Sequence, residues 1–189
     1  MRDRAEEILK KYLKSEYLIT HSYAVEAVMR ALARKLEPEK EEEWAITGLL
    51  HDLDADMLNY KEDPEEEKLH ALKGVELLKE EGFGNEYMYQ AIKAHNESNG
   101  TKRINVIDTA IYAADPITGF INAITLVYPD KKISSVKVKS ITKRMKEKRF
   151  AAGANREAMM SIEEIGIPFA EFAQISLEAM QEISDKLGL

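Results

Sequence analysis

Apolar residues return every three or four positions along almost the whole chain, and this spacing predicts amphipathic helices from end to end. A first helix is expected over residues 3–14, where Ala5, Ile8, Leu9 and Leu13 share a side. Thr20 is a candidate cap for a second helix carrying Val25, Val28, Leu32 and Leu36, and Pro38 predicts its end. The run AITGLLHDLD places a third helix over about Lys40–Leu53, followed by a polar loop over Asp56–Pro64. Glu65–Glu81 reads as one helix ending at Gly82, and Glu86–Asn96 as another. Ile104, Ile107 and Ile111 predict a helix over Arg103–Ala114, with Pro116 marking a boundary or the first turn of the next helix, ITGFINAITLVY. A basic helix over Ser134–Lys148 and two more, Ala154–Ile165 and Pro168–Leu187, complete the pattern. No sustained alternation supports a strand, since VKVKS runs directly into a helical stretch. The expected fold class is therefore all-α: a single compact multi-helix bundle. Residues 1–130 are expected to form its core and 131–189 a C-terminal helical extension packed on it.

Composition removes several function classes. There is no cysteine, so thiolate metal sites, disulfides and cysteine nucleophiles are excluded. No run of about 18 apolar residues suggests a membrane span, and the charged start MRDRAEEILKKYLK lacks the apolar stretch of a secretory signal. A cytoplasmic protein is the expectation. The formal net charge of −7 argues against general nucleic-acid binding. That total conceals an asymmetry, because residues 131–149 carry nine Lys and Arg against one Glu.

The chemistry-bearing residues concentrate in the first half of the chain. All four histidines, His21, His51, His70 and His95, lie there, mostly in apolar helical frames where an unpaired imidazole is costly. His51 is followed directly by Asp52 near a helix end. Adjacent helical residues diverge by about 100°, so the pair serves one ion only over the edge between them, with other helices supplying further ligands. Nitrogen and carboxylate donors suit Fe, Mn, Co, Ni or Zn. A P-loop, a GxSxG elbow and an HExxH helix are all absent.

The order His21, His51-Asp52, Asp115, set in HSYAVEAVMRALARKL, WAITGLLHDLD and AIYAADPITGF, resembles the HD-domain superfamily of metal-dependent phosphohydrolases. The likeness extends through AIKAHNE to a bacterial and archaeal subfamily of predicted hydrolases with the pattern H…HD…H…H…D. It implies one or two divalent ions, with Mg among the candidates. His21, His51, Asp52 and Asp115 would hold the first ion, and Asp52 would bridge to a second held by His70 and His95. The chain lacks the Gly-Lys after HD and the Gly-Tyr-Pro motif of the cyclic-di-GMP phosphodiesterases in that superfamily, so that substrate is not expected.

The expected function is hydrolysis of a phosphate ester or anhydride in a small phosphorylated compound, nucleotides included, by water that the metal activates. His51 and Asp52 are the candidate catalytic pair. Asp54 is a candidate proton acceptor or orienter of a ligating histidine, and equally a plain helix-end carboxylate. Lys137, Lys139, Lys143, Lys93 and Arg103 are candidate substrate-binding cations, although a solvated helix face accounts for the basic run as well. Two other hypotheses stay open on sequence: a di-iron oxygenase of the same superfamily, and a non-catalytic module that binds a nucleotide or protein.

Overall fold

Eleven α-helices and four short 3₁₀ turns build the protein, with no strand; the structure is a computed structural model that describes residues 1–189. The helices are α1 (Arg2–Tyr12), α2 (Glu16–Leu36), α3 (Glu41–Leu50), α4 (Pro64–Leu69), α5 (Leu72–Glu80), α6 (Glu86–Ala94), α7 (Val106–Val127), α8 (Val138–Arg144), α9 (Arg156–Met160), α10 (Phe169–Glu182) and α11 (Ser184–Leu187). One continuous apolar core runs from Ala5 to Leu187 and takes residues from both halves of the chain.

Helix α2 begins earlier than the sequence suggests. Ser15, not Thr20, is its cap: the Ser15 hydroxyl accepts from the Leu18 N–H, and Glu16 complements the helix dipole in the first turn. His21 therefore lies inside the helix, facing the centre. Helix α3 packs directly on α2 because Gly48 has no side chain. A Cβ there would stand 2.9 Å from both Met29 Cγ and the Val25 carbonyl oxygen of α2. This contact lies one turn before His51, so it sets the separation of His51 from His21.

The expected single helix over Glu65–Glu81 is broken. Asp63 caps α4, Pro64 occupies its first turn, and the chain kinks at His70–Ala71, where Ala71 takes a φ of +71°. The cause is a distant acceptor. Buried Asp54 takes the N–H groups of Ala71 and Gly74, both at 2.8 Å, and so replaces the bonds that a continuous helix would have made.

Pro116 has the opposite outcome, for α7 continues straight through it. A proline inside a helix costs about 3 kcal/mol. Fully burying Ile117, Phe120 and Ile121 contributes roughly 1.5–3 kcal/mol each, which outweighs that cost. By length and composition α7 is long and apolar enough to cross a membrane, but most of it is buried in the core.

The basic segment is less helical than expected. A 3₁₀ turn at Ile133–Ser135 precedes α8, which covers only Val138–Arg144 and buries only Ile141. A run of like charges with one buried anchor gives a longer helix little to gain. The expected helix over Ala154–Ile165 is α9 followed by a 3₁₀ turn at Ser161–Ile165, and α10 ends at Glu182 rather than at Leu187.

Gly48→Ala is expected to destabilise the protein by about 1–3 kcal/mol, because the added methyl overpacks the α2–α3 contact. Urea unfolding measures this; an unchanged midpoint would refute the close-contact account.

Candidate metal centre

Five helices and one turn aim their side chains at a common point. His21 comes from α2, and Asp115 from the middle of α7. His51, His70 and His95 are the residues that end α3, α4 and α6, and Asp52 opens the turn after α3. A helix C-terminus carries partial negative charge, so three such ends directed at one place favour a cation.

Helix ends also explain how the rings are held. The last turn leaves carbonyls without partners. His51 Nδ1 bonds the Gly48 carbonyl at 2.8 Å, and His95 Nδ1 bonds the Ile92 carbonyl at 2.6 Å, each three residues back. His70 Nδ1 bonds Asp54 Oδ1 at 2.7 Å. His21 Nδ1 lies 3.2 Å from Thr118 Oγ1, whose own proton goes to the Asp115 carbonyl at 2.9 Å. Every partner accepts, so each ring carries its proton on Nδ1 and directs Nε2 inward, as a metal ligand requires.

The Nε2 atoms gather round two carboxylates. Asp52 Oδ1 lies 3.3 Å from His51, 3.3 Å from His70 and 3.4 Å from His95, and Asp52 Oδ2 lies 3.8 Å from His21. Asp115 Oδ1 is 3.0 Å from His21 and 3.8 Å from His51. His51 Nε2 is fully buried and has no hydrogen-bond partner. The residues fall into overlapping groups that could hold an ion: His21, His51 and Asp52; His51, His95 and Asp115; Asp52, His70 and His95. Asp52 belongs to the first and the last of these groups. Orphaned Nε2, the inward tautomers and the oxygen–nitrogen donor set all fit a divalent ion.

Electrostatics point the same way. Burial opposes charge on His51, but the carboxylates of Asp52 and Asp115 overcome it and push the ring up to about 9. His70 is likewise pushed up to about 10, against burial, by Asp52 and Asp54. Despite burial, the surrounding histidines hold Asp52 and Asp115 well below the usual carboxylate range. Without an ion the cluster gathers protons instead.

The cluster opens into a cleft of about 570 Å³, lined by His21, Asp52, His70, His95 and Asp115 together with Tyr17, Tyr60, Lys61, Tyr112 and the loop from Ala151 to Asn155. Tyr60 stacks on His70, with ring centres 4.2 Å apart and planes within 9°. Four carboxylates (Asp52, Glu67, Glu97 and Asp115) and one lysine line this cleft.

Of the sequence candidates, His21, His51, Asp52, His70, His95 and Asp115 are brought together. His70, which follows the acidic EDPEEEKL, is buried in the cluster rather than on the surface. Asp54 is not a group that meets substrate: it is fully buried behind His70, and its carboxylate is occupied by His70, Ala71 and Gly74. The expected cations also lie elsewhere. Lys137, Lys139 and Lys143 are exposed, and none lines the cleft. Lys143 instead borders a separate groove with Tyr128 and Ser140. Lys93 is not in the lining either. Arg103 sits behind the wall, 3.3 Å from Glu97 and over the Tyr112 ring at 3.9 Å. A charge run in sequence does not report which way its helix faces. The cation that does reach the cleft, Lys61, stands alone in a polar loop with no pattern around it. Tyr60 leaves no spacing signal, and the place of Thr118 three residues after Asp115 does not by itself disclose that its hydroxyl orients His21.

A family model of the HD domain matches residues 18–119, more than half of the chain. The chain belongs to the HD-domain family. Comparisons with curated proteins and with solved structures find no match. The matched segment of this HD-domain protein contains all six clustered residues.

Asp54→Asn is expected to weaken metal affinity about 10–100-fold, because His70 loses the carboxylate that orients it. Equilibrium dialysis checks this, and unchanged affinity would contradict the positioning role. A second expectation concerns protons. At pH 7 both raised rings hold a proton on Nε2, which an arriving ion displaces. Metal loading should therefore release protons and tighten as pH rises. Calorimetry in buffers of different ionisation enthalpy detects the release; a buffer-independent heat would refute it.

Proposed function

We propose that this HD-domain protein is a metal-dependent phosphohydrolase that cleaves a phosphate ester or anhydride of a small phosphorylated compound. The observation that carries the proposal is Asp52: a single carboxylate reaches all four histidines and belongs to two of the candidate ion-binding groups. A carboxylate in that position suits a pair of ions, with His21, His51 and Asp115 on one side and His70 and His95 on the other. Bound divalent ions would supply Lewis acidity toward phosphoryl oxygens and a lowered pKa for water.

The remaining work falls to the chain. In the unloaded site the four carboxylates of the cleft still outnumber Lys61 and the protonated rings of His51 and His70, so phosphate affinity depends on cations held by the cluster. Lys61 adds one positive charge in the lining and favours anionic substrates. Tyr60, stacked on His70, covers one side of the cluster and limits water there. Asp54 and Thr118 hold His70 and His21 in orientation and do not touch substrate. Oxygen chemistry at a pair of irons would use the same nitrogen–oxygen donor set, so the test must separate the two reactions.

Element analysis of purified protein is expected to find up to about two transition-metal ions per chain, and Asp52→Ala should lose them. The loaded protein should release phosphate from phosphomonoesters or anhydrides without oxygen, and Asp52→Ala should release none. Turnover only in the presence of oxygen would overturn hydrolysis in favour of an oxygenase. Protein that holds no metal after incubation with Mn, Fe, Co or Ni would favour a non-catalytic module.

A further inference from the structure

The family match ends at residue 119, but the cleft extends beyond it. Ala151, Ala152, Gly153, Ala154, Asn155 and Ala158, from the C-terminal part of the chain, form the lining beyond the match. None of these side chains is charged, in contrast to the acidic lining contributed by the matched segment. The N–H groups of Ala151, Ala152 and Gly153 make no hydrogen bond within the chain.

One arginine holds this loop in place. Arg156 Nη1 donates to the carbonyls of Ala151 at 2.8 Å and Ala154 at 3.1 Å. Its Nη2 donates to the carbonyls of Glu147, at 3.1 Å, and Phe150. The guanidinium lies over the Phe120 ring, 5.0 Å from its centre, and Phe150 packs edge-on against the same ring. Phe120 belongs to α7, the helix that carries Asp115, so the loop is anchored to an element of the cluster. Ala151 is kept at a φ of +43°, in the left-handed region that an L-residue adopts only when its surroundings hold it there. Five carbonyl and aromatic contacts on one cation are far more than a loop needs merely to cross the surface.

We propose that Ala151–Asn155, positioned by Arg156, is the specificity wall of the cleft: the cluster takes the phosphoryl group, and this loop takes the uncharged organic portion of the substrate. The inference rests on the phosphohydrolase proposal in assigning the phosphoryl group to the cluster. An aromatic or sugar-like group packs on the alanine methyls, and its oxygens meet the free N–H groups. Arg156 acts through the loop and is a positioning residue.

The test uses metal-loaded full-length protein and two probes that are not hydrolysed, inorganic phosphate and phenylphosphonate, with affinities measured by calorimetry. Arg156→Gln releases the loop, and Ala152→Trp fills the wall from an exposed position without disturbing the core. Both variants should weaken phenylphosphonate about tenfold or more, while inorganic phosphate, which needs only the cluster, changes by less than about twofold. A purely structural role for Arg156 would weaken both probes together. Equal losses for the two probes, or no loss of phenylphosphonate in Ala152→Trp, overturns the proposal; Ala152→Trp decides alone if Arg156→Gln does not fold. Failure of the phosphohydrolase proposal looks different: both probes bind the wild type, no phosphate is released from any ester, and the two affinities still judge the wall. Binding of neither probe to the wild type overturns both.

Discussion

A carboxylate buried among four imidazoles is the constraint around which the rest of this protein is arranged. Asp52 is almost completely inaccessible, and so are His51, His70 and His95. Charge in such a place is tolerated only when it is paired. Here the pairing is extensive, and it draws on four separate helices, so the cluster cannot form until those helices are packed. Three of the histidines end helices, where unpartnered carbonyls or a nearby carboxylate take the Nδ1 proton and the helix dipole presents negative charge. The same arrangement draws protons onto His51 and His70 when no ion is bound, so the electrostatics of the site suit a cation as its donors do.

Supporting features can be traced outward from that point. Gly48 lets α3 approach α2 closely, and its carbonyl also fixes His51. Asp54 breaks a helix to bring His70 inward, and holds the ring it has placed. Helix α7 runs unbroken through Pro116, which keeps Asp115 and Phe120 on one rigid element. That rigidity links two parts of the cleft: the cluster, inside the segment matched by the family, and the neutral loop on Arg156, outside it.

The basic segment illustrates a limit of reading charge along a chain. Its nine cations offered phosphate-binding candidates or a solvated face, and Lys137, Lys139 and Lys143 prove exposed and outside the cleft. Helix α8 buries Ile141, and once that residue is turned inward the lysines have only the outer side available. Loop residue Lys61 reaches the cleft instead, because the turn between α3 and α4 closes over the cluster.

What the sequence determined by itself was whatever depends on near neighbours. The 3.6-residue spacing settled an all-helical chain, and such a signal acts within a turn or two of helix. The six residues that converge were marked by the resemblance of their order to the HD-domain superfamily, and not by spacing. The tertiary structure decided whatever depends on a distant partner. Asp54 breaks the chain at Ala71, 17 residues away, so periodicity alone predicted a continuous helix there. Burial of Ile117, Phe120 and Ile121 on the inner face of α7 overrode a proline that locally signals a boundary. Arg156 gained its role only when four carbonyls closed round it. In each case the deciding free energy comes from a contact between segments far apart in the chain, and no local pattern records it.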